Sequence, residues 1–230
     1  MKRNFIYRYE RKFLINNLSK QKVESIIKIN PANFKEIYKE RIINNIYFDT
    51  LSQNSYSDNI DGNMDRIKSR IRWYGTLFGE IANPNLEFKI KKGLLGKKSS
   101  YALNGFKLDS NFQHKMIMEI ISLSNLPLVT MEYIQHQNPI LLNSYSRKYY
   151  LSSDKKYRIT IDSVQIFYKI GNLNNSFSNK YKDNTNIILE LKYDEFSDDN
   201  AHQITKYFPF RLTKSSKYTT GIERILGALQ

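Results

Sequence analysis

Eight segments are rich in Tyr, Phe, Ile or Leu, and in five of them apolar and polar residues exchange every second position. They predict strands over residues 5–14, 42–49, 67–74, 86–92, 144–151, 157–162, 163–170 and 187–194. Four other segments carry the helical period. Ser19 is placed to cap a helix through Val23, Ile26 and Ile27 that stops before Pro31. A second helix, over 111–124, sets Met116, Ile117, Ile120, Ile121 and Leu123 on one apolar face. A third starts near Ser197 and stops before Pro209, and the last carries Ile222, Ile225, Leu226 and Leu229. Stretches 52–63, 93–104 and 171–185, rich in Asn, Ser, Gly or Lys, read as loops. Helices do not separate the strands as βαβ units require. The expected fold class is therefore α+β, a largely antiparallel sheet or barrel with peripheral helices. With no internal repeat, residues 1–230 read as a single domain.

The polar faces of these strands are unusual. Residues i, i+2 and i+4 of a strand share a face. Arg8, Glu10 and Lys12 thus point one way, with Tyr9 and Phe13 opposite, where Arg11 interrupts the apolar set. Arg70 and Arg72 lie opposite Ile71 and Trp73, and Glu87, Lys89 and Lys91 opposite Leu86, Phe88 and Ile90. Arg158, Thr160 and Asp162 alternate with Ile159 and Ile161, and Glu190 and Lys192 with Leu189, Leu191 and Tyr193. An ordinary half-buried sheet explains any one of these strands. Five together, rich in Arg, four of them bearing a carboxylate, point elsewhere: the planar guanidinium fork fits phosphate oxygens.

Gathered inside a barrel, these groups would repel one another strongly unless water, counter-ions and a multiply charged anion filled it. Glu10, Glu87 and Glu190 would then hold Mg²⁺ or Mn²⁺ bridging phosphate oxygens. Tyr145, Arg147 and Tyr149 add one more guanidinium between two phenols on a shared face. Near the C-terminus, Lys214, Ser215, Ser216 and Lys217 precede the last helix and form a phosphate-binding corner. A capped helix with two exposed lysines explains that segment equally well, and the Gly-rich spacing of a Walker A loop is missing.

Composition narrows the chemistry further. The 230 residues carry 36 Lys+Arg against 22 Asp+Glu, a formal net charge of +14, which fits a polyanionic partner or simply a Lys-rich surface. The absence of cysteine excludes a disulfide scaffold, a Cys-type zinc site and thiol catalysis. Three histidines, His114, His136 and His202, argue against a multi-histidine metal site. No apolar run approaches the roughly 20 residues of a membrane span, and the N-terminus lacks a signal-peptide core. The expectation is a cytoplasmic protein.

In order along the chain, RYERKFLI (8–15), YFDT (47–50), RIRWYG (70–75), LEFKIKKG (86–93), SYSRKYYL (144–151), YRITID (157–162), LELKYD (189–194) and TKSSKYTTGIE (213–223) resemble the VTC domain. This is the polyphosphate polymerase branch of the CYTH, or triphosphate tunnel metalloenzyme, superfamily. The resemblance implies an eight-stranded antiparallel β-tunnel that transfers the γ-phosphate of ATP to a growing polyphosphate chain and releases ADP. By motif it gives Lys12, Arg70, Arg72, Lys89, Arg147, Arg158, Lys214 and Lys217 to catalytic phosphate contacts. Arg8, Lys91, Tyr145, Lys192 and Ser216 would add substrate contacts, and Lys97 or Lys98 a further basic one. Glu190 would lead the metal ligands, with Glu10 and Glu87.

Hydrolytic and cyclase members of the superfamily resemble ExExK on the first strand, where this chain reads Arg8-x-Glu10-x-Lys12. Exchanging a carboxylate for a guanidinium removes a metal ligand and favours holding a long anion over activating water. The expected partners are ATP and inorganic polyphosphate, with Mn²⁺ or Mg²⁺. Membrane association is expected only through a separate partner protein. Alternatives are a metal-dependent tripolyphosphatase or nucleoside triphosphatase of the same fold, and a non-catalytic polyphosphate-binding module. A nucleotidyl cyclase fits less well, since nothing reads as base recognition. Nucleic acid is disfavoured, because the arginines alternate on strand faces without a recognition motif.

Overall fold

The computed structural model describes residues 8–92, 95–171, 173 and 175–227. The strands are β1 (Arg8–Ile15), β2 (Lys35–Asp49), β3 (Arg66–Tyr74), β4 (Gly79–Ile81), β5 (Asn85–Lys92), β6 (Leu95–Ala102), β7 (Phe106–Leu108), β8 (Asn138–Leu151), β9 (Arg158–Lys169), β10 (Lys180–Asp183) and β11 (Ile187–Asp194). The helices are α1 (Lys20–Lys28), α2 (Asn54–Ile60), α3 (His114–Leu123), α4 (Leu128–Gln135), α5 (Asp198–Thr205) and α6 (Lys217–Leu226). The main sheet runs in the order β1-β11-β9-β8-β2-β3-β5-β6, with β10 on β9, while β4 and β7 form a separate ladder. The fold class is the expected α+β.

The chain divides into two compact units: residues up to 41 with 145–165 and 183–215, and residues 42–144 with 166–182 and 216 onward. Strands β2, β8 and β9 each contribute one part to each unit.

In the first unit, alternation sends Phe13, Ile159, Ile161, Leu189 and Leu191 into a core closed by Val23 and Ile27 of α1 and by Ala201 and Ile204 of α5. Ser19 caps α1, its Oγ accepting from the Lys22 N–H at 3.3 Å. Arg11, the interruption on the apolar side, is accounted for by its partners. Its Nε donates to the Tyr193 hydroxyl at 2.6 Å and its terminal nitrogen to Asp198 at 3.1 Å. Its guanidinium carbon also stands 5.6 Å from the centre of the Tyr193 ring.

In the second unit, Ile46, Ile71, Trp73, Leu86 and Phe88 pack with Ile117 and Ile121 of α3 and Ile134 of α4. Tyr218 and Ile222 of α6 pack with Tyr47, Leu141 and Phe167. The helix approaches so closely that a Cβ on Gly221 would stand 2.5 Å from Leu141 and 2.6 Å from Phe167. Only glycine fits there.

Several expectations are corrected. The two strands expected over 157–162 and 163–170 are one, β9 (Arg158–Lys169), in which Val164 takes a positive φ of 52° without ending the ladder. Stretch 52–63 contains α2 and stretch 93–104 contains β6. Strands β2 and β8 begin earlier than their alternation suggests, and α4 was not anticipated. Leu229 and the side chain of Leu226, assigned to the last helix, lie outside the described residues.

Candidate functional site

The register of each ladder decides which polar residues meet, because directly opposed residues share a face. In the first unit, β1 against β11 sets Glu10 opposite Lys192 and Lys12 opposite Glu190. On its other side, β11 sets Glu190 opposite Thr160 and Lys192 opposite Arg158. The result is a tight alternation of charge. Lys12 Nζ lies 2.9 Å from Glu10 and 3.7 Å from Glu190, and donates to the Ser215 carbonyl at 3.0 Å. Lys192 Nζ lies 3.0 Å from Glu190 and 3.9 Å from Glu10. Burial pulls the Lys192 pKa down from 10.5 to about 8; Glu10 opposes that shift, and the nearby Arg147 and Arg158 add to it.

Arg147 is held from two sides. Its Nε and a terminal nitrogen donate to the two Asp162 oxygens at 2.5 and 2.7 Å, a fork-on-fork pair. Its guanidinium carbon lies 5.2 Å from the centre of the buried Tyr145 ring and 6.0 Å from that of Tyr149. Burial opposes the charge of Arg147, but Asp162 overcomes it and the pKa is raised. In the described part of this face, Lys12, Arg147, Arg158 and Lys192 meet the carboxylates of Glu10, Asp162 and Glu190, so the charges nearly cancel. The Arg8 side chain lies outside the described residues, and Lys214 is exposed.

The second unit is different. Register places Arg66 opposite Lys91, Lys68 opposite Lys89, and Arg70 opposite Glu87. Across the next ladder Lys89 faces Lys98, while Lys97 pairs with Ile90 on the other face. Lys98, not Lys97, therefore belongs to the polar face. Among the described residues, seven cations on β3, β5 and β6 share this face with one carboxylate.

That carboxylate, Glu87, is nearly fully buried. Its Oε2 accepts from two Arg70 nitrogens at 3.0 and 2.8 Å and lies 3.7 Å from Arg72, while its Oε1 accepts from Lys98 at 2.6 Å. Burial alone would raise its pKa, but Arg70, Arg72 and Lys98 hold it down at about 2. Arg72 is further fixed by donation to Asn45 Oδ1 at 2.8 Å. Lys68 donates to Asn59 Oδ1 at 2.6 Å and to Ser216 Oγ at 3.1 Å. Ser216 caps α6, accepting from the Thr219 N–H at 3.4 Å, and Lys217 opens that helix, half-buried. The buried Asp49 anchors the neighbourhood by accepting from the N–H groups of Ser55 and Tyr56 and from the Tyr218 hydroxyl.

These contacts test the metal expectation. No group of three or more His, Cys, Asp or Glu among the described residues could hold a metal ion. A hard cation that shares phosphate substrates needs only one or two carboxylates, the rest of its shell being water and phosphate oxygen. Glu190 and Glu10, both reached by Lys12 and Lys192, fit that description. Glu87 fits less well: Arg70 and Lys98 hold both its oxygens at 2.6 to 3.0 Å, whereas Glu190 has Lys192 at 3.0 Å and the looser Lys12 and Arg147 at 3.7 and 3.9 Å.

Sequence reasoning left Lys68, Arg66 and Asp162 without a role. Lys68 and Arg66 lie in step with Arg70 and Arg72, a signal visible in the alternation. Asp162 was visible on its strand face, but its pairing with Arg147 required the neighbouring strand.

Solved structures of similar fold include a candidate adenylate cyclase from Vibrio parahaemolyticus (TM-score 0.54, 9% identity, covering 96% of this chain and 98% of that one). Another is the PH1819 protein from Pyrococcus horikoshii OT3 (0.52, 10%, 95% and 99%). A third is HpAC1 from Hippeastrum, a candidate adenylyl cyclase described as having a dominant triphosphatase activity (0.50, 12%, 94% and 95%). The chain thus shares its fold with these solved structures. The profile of the VTC domain matches residues 7–226, and the chain belongs to the VTC domain family. No curated protein matches the chain by sequence. No helix among the described residues is long and apolar enough to cross a membrane.

Proposed function

We propose that the protein is an ATP-dependent polyphosphate polymerase that uses Mn²⁺ or Mg²⁺. The observation that carries this reading is the excess of positive charge on one face of β3, β5 and β6, where Arg66, Lys68, Arg70, Arg72, Lys89, Lys91 and Lys98 share register with the single carboxylate of Glu87. An extended phosphate chain is a ligand whose repeated charge matches such an excess.

The nucleophile in this reading is a terminal oxygen of the polymer, already ionised and needing no strong base. It forms a bond to the γ-phosphorus of ATP as the bond from that phosphorus to the β–γ bridging oxygen breaks. ADP leaves with the electron pair. Arg70, Arg72, Lys89, Arg147 and Arg158 bind and orient phosphate oxygens and neutralise the charge that spreads over them. Glu190 and Glu10 would hold the divalent cation, which supplies Lewis-acid neutralisation of phosphate oxygens when bound. Membrane association, in this reading, passes through a separate partner protein.

A second reading, a tripolyphosphatase, is favoured by the activity described for HpAC1. It releases free phosphate and no polymer. The polymerase reading is tested with Arg72→Ala and Glu190→Gln, each checked for folding by circular dichroism. Both are expected to abolish ATP-dependent polymer formation. Normal synthesis by either folded variant contradicts the assignment.

A further inference from the structure

Strand β8 sets Tyr145, Arg147 and Tyr149 on one face, and within the same unit β2 adds Arg41 to that row. The Arg41 guanidinium carbon lies 4.5 Å from the centre of the Tyr38 ring and 5.8 Å from that of Tyr149. The two rings meet edge to face, their centres 5.6 Å apart. Tyr149 therefore has two guanidinium groups beside it, Arg41 at 5.8 Å and Arg147 at 6.0 Å. Exposure rises along the series. Tyr145 is buried, Arg147 and Tyr149 are partly buried, and Tyr38 and Arg41 are exposed.

The two guanidinium groups differ in the donors they have left. Arg147 spends two nitrogens on Asp162. Among the described residues, nothing accepts a hydrogen bond from the Arg41 side chain and no carboxylate pairs with it. Its chain neighbour Glu40 is turned to Lys20 and Ser146 instead. An aromatic ring attracts a guanidinium without taking up its N–H groups. Arg41 is thus placed by two rings while its donor fork stays unspent and its charge uncancelled. The strand around it is open: pairing of β2 with β3 begins at Ile43, and every residue from Lys35 to Ile42 is exposed. A fork so prepared suits the paired oxygens of a phosphate group.

We propose that Arg41 is a further substrate-binding residue, holding the phosphate chain where it continues past Arg147 toward solvent. Tyr38 and Tyr149 fix the guanidinium in place. Long chains reach Arg41, and short ones end before it. This rests on the phosphate-binding reading above and adds to it a residue that discriminates by chain length.

The test is calorimetric titration of the full chain at several salt concentrations, with long-chain inorganic polyphosphate and, separately, with inorganic tripolyphosphate. Arg41→Ala removes an exposed side chain that makes no ion pair, so the fold should survive it. Lys28→Ala, at an exposed position of α1, removes the same charge elsewhere in the unit. Arg41→Ala is expected to weaken long-chain binding by about 5- to 10-fold and to lower the slope of log Kd against log salt by about one. Its tripolyphosphate binding, and both affinities of Lys28→Ala, should match the wild type. Long-chain binding that is unchanged in Arg41→Ala, or a loss shared equally by tripolyphosphate or by Lys28→Ala, overturns the role of Arg41 alone. A wild-type protein that binds neither ligand overturns the phosphate-binding reading, and the role of Arg41 with it.

Discussion

Replacing Glu87 by glutamine keeps the shape of the side chain and removes the one negative charge among Arg70, Arg72 and Lys98. The structure sets the scale of the effect. The carboxyl is nearly fully buried, and its pKa is held at about 2 against an ordinary 4.5. A depression of that size corresponds to about 3 kcal/mol favouring the ionised form in the folded state. The sign follows from proton uptake. The unfolded state binds the proton first as pH falls, so the contribution is complete above about pH 4.5 and is lost as pH falls through about 2. Urea denaturation of both proteins should therefore show glutamine costing about 3 kcal/mol at pH 7. The gap should narrow to about 1 kcal/mol at pH 3, where the wild type has already lost most of the benefit. An equally stable variant, or a gap that does not change with pH, refutes the anchoring role. If Glu87 were a metal ligand instead, the variant would need more Mn²⁺ for activity while keeping its stability.

Other expectations follow from the same contacts. Asp162→Asn leaves the largely buried Arg147 guanidinium without its fork partner and should cost about 3 kcal/mol in chemical denaturation; a change within the fitting error contradicts this. Gly221→Ala drives a methyl group into Leu141 and Phe167 and should lower stability by about 1–3 kcal/mol, whereas a neutral variant would show that α6 can retreat. Lys89→Gln should weaken polyphosphate binding and reduce the slope of log Kd against log salt by about one, if Lys89 neutralises one phosphate. An unchanged slope removes Lys89 from the phosphate contacts.

Much of the site was legible because strand alternation is a local property. Residues 70 and 72, 87 and 89, or 190 and 192 share a face whatever lies beside them. What alternation cannot give is the neighbour. Choosing Lys98 over Lys97 needed the β5–β6 register, and the pairing of Arg147 with Asp162 needed the adjacent strand. Glu87 illustrates the cost of that gap. As a carboxylate on a cationic strand face it read as a metal ligand, and its close contacts with Arg70, Arg72 and Lys98 emerge only with the neighbouring strands in place. The fold was legible where one side of an element is buried. The first half of β2, exposed at every residue from Lys35 to Ile42, gave no apolar period to find. In α4 the residues Leu128 and Val129 are exposed while Thr130 and Ile134 are buried, so its polarity does not follow its burial.

The central claim is that the cationic faces serve transfer of phosphate from ATP to polyphosphate. Its most direct measurement is incubation of the purified protein with ATP and Mn²⁺, with gel electrophoresis for polymer and quantification of ADP and free phosphate. The account predicts a ladder of polyphosphate, with one ADP released for each phosphate incorporated. Free phosphate without polymer, or binding without turnover, contradicts it.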